Sequence, residues 1–277
     1  MRDGMAYAAE ERVRAGDGSS VSWEGARLTT HFQPIYGVRR ATCLGFEALA
    51  RAANSSGGEL DTEEFFARVD EGNRSLLDWT CRALHLRNFA TVDPGDRTLF
   101  INVHPEAAVK DVRNGHNLGE IIGYYGLVPE RVCIEILEAP CSDESMLREA
   151  VEAYRDLGAS VAMDDFGLEH SDFDRLARLR PDIVKIDLAA HSRKSGPAQA
   201  LGMLPGMIDL VHEAGAKVAV EGIESRTEAL LAVGARADYL QGFFLAHPHA
   251  KLAPEIRGTT ILNALLSPAA RPHLAVV

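Results

Sequence analysis

Short apolar runs rich in β-formers recur along the chain between stretches of helical spacing, and this alternation predicts parallel strands joined by helices. The strand runs fall at residues 31–36, 44–49, 98–103, 131–137, 160–163, 183–186, 217–220 and 239–240. Amphipathic stretches occupy 76–89, 144–157, 171–179, 200–212 and 225–233. Gly158, Gly215 and Gly234 stand where three of these helices should stop. Eight strand candidates favour a closed β/α barrel over an open doubly wound sheet, whose Gly-rich dinucleotide fingerprint is missing.

The ends of the chain read differently. Residues 1–27 are polar, glycine-containing and aperiodic, which predicts a tail or linker. Residues 28–250 carry the barrel pattern. Residues 251–277 read as an extension, with Ile256, Ile261, Leu262, Leu265 and Leu266 placed to form a helix that packs on the barrel.

Composition narrows the function classes. The chain has 277 residues, 46% of them hydrophobic and 25% charged, enough for one large α/β domain. No apolar run approaches the ~18 residues that span a bilayer, and the N-terminus has no apolar leader core, so neither membrane insertion nor secretion is expected. Cys43, Cys81, Cys133 and Cys141 form no C-x-x-C pair or zinc-ligand spacing, which points to a reducing, cytoplasmic setting. A net charge of −11 argues against a duplex nucleic-acid binder. An anionic ligand would need metal ions or a local arginine.

The candidate chemistry sits at the strand ends, where β/α barrels place reactive groups. Glu47, Asn102, Glu135, Glu138, Asp164, Asp165, Lys185, Asp187, Glu221, Glu224 and Gln241 lie in or just after successive strands. Taken singly, a strand-end acid is more often a helix cap or a salt-bridge partner. Their joint occurrence is what argues for a site, since so many ionisable groups in apolar settings are costly without cations. Carboxylates plus an amide, with no His or Cys at ligand spacing, form the hard-oxygen set suited to Mg²⁺ or Mn²⁺. The adjacent Asp164 and Asp165 can serve two ions about 4 Å apart, the spacing that clamps the attacking and leaving oxygens of a phosphoryl displacement. Other motifs fail. Asp165-Phe166-Gly167 lacks the companion loops of a kinase, and His212-Glu213 lacks the second histidine of a zinc protease.

Taken in order, the segments resemble the EAL family of cyclic di-GMP phosphodiesterases over roughly residues 28–250. The resemblance rests on Gln33-Pro34-Ile35, Glu47-Ala48-Leu49 with Arg51, Phe100-Ile101-Asn102-Val103 and Glu135-Ile136-Leu137-Glu138. It continues through Asp164-Asp165-Phe166-Gly167, Lys185-Ile186-Asp187, Glu221-Gly222-Ile223-Glu224 and Gln241-Gly242-Phe243. It implies a modified TIM-type (β/α)8 barrel with one antiparallel strand. It also implies that Glu47, Asn102, Glu135 and Asp164 hold one metal, with Asp164 and Asp165 addressing a second. Lys185 and Glu221, with Glu47, would position and activate water. Gln33, Arg51 and Gln241 would contact the cyclic dinucleotide, and Glu138 and Glu224 would support neighbouring loops. The implied reaction gives linear pGpG, and the implied assembly is a homodimer.

One segment departs from the family. Leu168-Glu169-His170-Ser171-Asp172 stands where Thr-Gly-Tyr-Ser-Ser is usual, and Leu137 replaces a threonine. The altered loop leaves open a second reading, a weak or silent domain that receives the dinucleotide or a protein partner. An unrelated barrel aldolase using Lys185 as a Schiff-base amine is the remaining alternative.

Overall fold

The computed structural model describes residues 4–93, 95–115, 118–168, 172–252 and 255–267. Its strands are β1 (Ser20–Trp23), β2 (Ala26–Gly37), β3 (Thr42–Ala53), β4 (Glu59–Leu60), β5 (Thr98–Val103), β6 (Val132–Ile136), β7 (Ser160–Met163), β8 (Ile183–Asp187), β9 (Lys217–Glu221) and β10 (Tyr239–Leu240). The helices are α1 (Gly4–Ala15), α2 (Thr62–Arg68), α3 (Glu71–Val92), α4 (Pro105–Asn114), α5 (Leu118–Tyr124), α6 (Glu144–Asp156), α7 (Asp172–Leu179), α8 (Leu188–Ser195), α9 (Pro197–Glu213), α10 (Arg226–Gly234) and α11 (Glu255–Leu266).

From β3 through β5 to β10 each barrel strand pairs in parallel with the next. β2 closes the ring, antiparallel to both β3 and β10. The result is the expected eight-stranded barrel with one reversed strand. β2 and β3 run longer than their sequence signals, and together extend above the barrel mouth, where β1 and β4 flank them. None of the described helices is long and apolar enough to cross a membrane.

The barrel wall is apolar on both faces. Outward residues such as Val132, Ile134, Val218 and Val220 are fully buried under the helices, each contributing about 1.5–3 kcal/mol. Inside, Ile35, Phe100, Cys133, Ala162, Ile183 and Ala219 form a small plug. Local signals fix the helix ends: Asp143 accepts from Met146 N–H to cap α6, and Ser225 with Glu228 forms a capping box on α10.

The N-terminal segment differs from the expected tail. α1 packs Ala9 and Val13 against the barrel core, and β1 adds buried Val21 and Trp23. The β1–β2 turn puts Glu24 at φ 44° and Gly25 at φ 83°, the doubly left-handed pair that fits a two-residue hairpin to strand twist. Arg87 of α3 donates to the carbonyl oxygens of Val13 and Ser20, and Asn88 to that of Ser19. Sequence periodicity is silent there because few residues of α1 are buried, and tertiary contacts supply the rest. At the other end, α11 buries Leu262 and Leu265 beside Tyr36, while residues 268–277 lie outside the described set.

Candidate active site

Strand side chains alternate in direction, so residues two apart share a face. That period carries the apolar plug into a polar layer above it. Phe100 is followed by Asn102, Cys133 by Glu135, Ala162 by Asp164, Ile183 by Lys185, and Ala219 by Glu221. On the reversed β2 the order inverts, and Gln33 precedes Ile35. Cross-strand register then aligns the layer: Gln33 lies opposite Glu47, and Asn102 opposite Glu135.

Lys185 is the centre of this layer and is 1% exposed. Its Nζ lies 2.8 Å from Glu221 Oε1, 2.9 Å from Glu135 Oε1, 3.3 Å from Glu47 Oε2 and 3.4 Å from Asp164 Oδ1. Asn102 Nδ2 donates to Glu47 Oε1 at 3.0 Å, and Gln241 Nε2 donates to Glu47 Oε2 at 2.7 Å. Burial works against the charge on Lys185, but Asp164, Glu135, Glu221 and Glu47 together hold its proton far more tightly than usual. Burial also raises Glu135 and Glu221 well above the usual carboxylate range and raises Asp164, with Lys185 opposing. Glu47 differs. Burial would raise it, yet the Lys185 ammonium and the donors from Asn102 and Gln241 bring it below its ordinary value. One ammonium thus faces four carboxylates, and the layer is short of positive charge.

Asp165 follows Asp164 at the end of β7 but does not reach Lys185. Its backbone is left-handed at φ 54°, its N–H donates to Asp164 Oδ1 at 3.1 Å, and its carboxyl is pushed up to about 7 by burial, then by Asp164 and Asp187. Glu138 is half-buried just past β6, outside the Lys185 cluster. Glu224 is exposed at the rim, and Arg51 lies further up β3, where it donates to its neighbour Ala50 O at 2.8 Å. The altered residues 169–171 lie outside the described residues.

A cleft of about 260 Å³ opens onto the polar layer, lined by Gln33, Glu47, Glu221, Gln241, Phe243 and Arg193, among others. Arg193, on α8, is the one cation lining it among the described residues. The sequence reading missed it, because an exposed helical arginine carries no motif. Asp187, which also lines the cleft, caps α8 by accepting from Ala190 N–H at 2.9 Å.

The donor set fits a hard divalent ion. Asn102 Oδ1, Glu135 Oε2 and Gln241 Oε1 are buried acceptors without a hydrogen bond, and unpaired buried oxygens are what a cation satisfies. Among the described residues the acids converge on Lys185 rather than on one another, and no three His, Cys, Asp or Glu side chains form a ready-made cage. Asn102 and small carboxylate rotations would be needed to complete one.

The family model described as EAL domain matches residues 20–248, and the chain belongs to that family. It is 25% identical over 236 residues to the cyclic di-GMP phosphodiesterase RocR of Pseudomonas aeruginosa, covering 81% of this chain and 58% of RocR. A standalone versatile EAL protein from Vibrio cholerae O395, solved with c-di-GMP bound, superposes with a TM-score of 0.72 at 27% identity, covering 84% of this chain and 96% of that one. The Bacillus subtilis YkuI protein, solved with c-di-GMP and calcium, shares the fold at a TM-score of 0.74 and 24% identity, covering 89% and 63%. The chain spans little more than half the length of RocR, and 54% of the curated YkuI chain.

Proposed function

We propose that this chain hydrolyses one phosphodiester bond of cyclic di-GMP, giving linear pGpG, with Mg²⁺ or Mn²⁺. The observation that carries the reading is the buried Lys185 ammonium, surrounded by four carboxylates at the foot of an open cleft. The names of RocR and of the Vibrio cholerae complex support the choice of dinucleotide.

Glu47, Asn102, Glu135 and Asp164 would hold one ion, and Asp164 with Asp165 a second. Such ions, when bound, supply the positive charge that stabilises a pentavalent phosphoryl group and acidifies water. Lys185 donates to the attacking water or to a phosphoryl oxygen, and its proton is held tightly enough to stay in place. Burial makes the ionised Glu221 a stronger proton acceptor than an exposed glutamate, which suits it to take the proton of that water. The water oxygen bonds to phosphorus, the P–O3′ bond breaks, and the released 3′ oxygen takes up a proton. Gln33 and Gln241 orient the nucleotide, while Arg51 and Arg193 meet its phosphates.

The replaced residues at 168–172 favour a second reading, a receptor that binds without turnover. Chromatography of cyclic di-GMP incubated with the chain and Mn²⁺ or Mg²⁺ separates the two. Metal-dependent pGpG that disappears in Glu47→Ala is expected. Folded protein that forms no product with either metal would sink the hydrolase reading, and dinucleotide affinity in chelator would then establish the receptor.

A further inference from the structure

The turn that carries Asp165 is held from outside the metal-binding layer. Asp165 is a non-glycine residue at φ 54°, a conformation that persists only where its surroundings over-determine it. The next residue, Phe166, is fully buried and pinned through both backbone groups: its N–H donates to Lys185 O at 3.0 Å, and its carbonyl oxygen is bonded by His191 Nε2 at 2.9 Å. A carbonyl oxygen only accepts, so His191 Nε2 carries the hydrogen. His191 is 5% exposed and packs over Gly167, where a Cβ would fall 3.1 Å from His191 Cε1 and 2.6 Å from Met207 Cε. Gly167 has φ 90° and no side chain to resist that approach. One turn along α8, Lys194 donates to Leu168 O. α8 therefore grips the turn at alternate carbonyls, those of Phe166 and Leu168.

We propose that His191 is a positioning residue, acting through the Phe166 carbonyl to fix Asp165 for the second metal, with Lys194 as the outer half of the grip. The proposal rests on the metal-dependent reading of the site. His191 bonds the Phe166 carbonyl and takes no part in the ion pairs around Lys185. Its influence passes along the backbone of the turn, which links Asp165 on one side to Lys185 O on the other.

The test compares His191→Leu, which removes the donor, with His191→Gln, whose amide restores one at similar reach. Mn²⁺ binding is followed by electron paramagnetic resonance without substrate, and turnover separately. Loss of an outer partner of a metal site typically weakens binding by ~10–100-fold. That loss is expected at one of two Mn²⁺ sites in His191→Leu, with kcat reduced in the same range, KM little changed, and recovery in His191→Gln. Wild-type metal affinity and kcat in a folded His191→Leu would overturn the proposal, as would equal losses in both variants. Should His191→Leu fail to fold, the exposed Lys194→Met is expected to weaken one Mn²⁺ site by about 3–10-fold, below the usual outer-partner range, and unchanged affinity there overturns it. A wild-type chain that binds Mn²⁺ without turnover defeats the hydrolase reading alone and leaves the metal titrations to decide. A wild-type chain that binds no Mn²⁺ defeats both.

Discussion

Two buried cations on either side of the barrel wall are treated in opposite ways. Outside it, Arg82 of α3 is 1% exposed and pairs with Asp78 one turn earlier and with Asp111 of α4, whose Oδ2 lies 2.6 Å away. Asp111 is further engaged by Trp79 Nε1 at 2.6 Å and by Tyr154 OH at 3.5 Å, so both its oxygens are in use. Inside the barrel, Lys185 meets four acids, and oxygens of Glu135, Asn102 and Gln241 are left without donors. The planar guanidinium suits fixed, bidentate structural pairing, and the ammonium suits a cluster whose partners must share it with other charges. Two acids share the Arg82 guanidinium, which ties α3 to α4. Four acids share the Lys185 ammonium at the foot of an open cleft, and that larger excess of negative charge suits a place that receives more positive charge.

Removing each cation in turn separates the two sites. Lys185→Met should lower turnover by about 10²–10³-fold, the scale of a lost hydrogen-bond donor to the reacting oxygens. Arg82→Met should instead cost about 3–5 kcal/mol of stability, because it strands buried acids, with kcat of the folded protein near wild type. Chemical denaturation and pGpG chromatography on both variants test this, and a kcat loss in Arg82→Met matching that of Lys185→Met would erase the distinction.

The outer side also makes a pH prediction. His85 of α3 is buried, with its Nδ1 2.7 Å from Thr30 Oγ1, which also accepts from Asn88 Nδ2 at 3.1 Å. Burial is the largest cause that lowers its pKa to about 4. The unfolded chain, titrating near 6.5, therefore binds the proton first, and the stability His85 contributes is full above that pH and lost as the pH falls towards 4. The loss amounts to about 2–4 kcal/mol. Denaturation midpoints of wild type and His85→Gln between pH 7 and 4 isolate it, since acids elsewhere titrate in both. Parallel curves would refute it.

The smallest effect is ligand-linked stability. Mn²⁺ at about 100 times its Kd should stabilise the fold by roughly 2.7 kcal/mol. Calorimetry should show this rise in Arg82→Met but a reduced one in Asn102→Leu. An undiminished rise in Asn102→Leu would remove Asn102 from the ligand set.

The barrel was legible because both faces of its strands are buried, so each strand appears as an apolar run whatever its neighbours. The reversed β2 was not visible in its own pattern, and came from resemblance alone, because direction leaves no trace in a period of two. The N-terminal α1 and β1 were misread for the opposite reason: their order depends on Arg87 and Asn88 of α3, more than fifty residues away. Glu47, Asn102, Glu135, Asp164, Lys185, Glu221 and Gln241 were legible as candidates, since each is a polar residue placed at or beside a strand end, and the fold brings them into contact. Glu138 and Glu224 follow their strands, where strand periodicity says nothing about what a side chain reaches, and Arg51 stands on β3 beyond the Lys185 layer.

Local periodicity and side-chain chemistry were enough to give the eight barrel strands, their inward polar positions and the oxygen-rich character of the layer. That a single ammonium is shared among four acids, that Arg193 lines the cleft, and that α8 grips the turn after Asp165 had to come from the folded chain. Those are distances between side chains brought together by ring closure, and residues such as Glu47 and Gln241, 194 positions apart, become hydrogen-bonded neighbours only when the barrel closes.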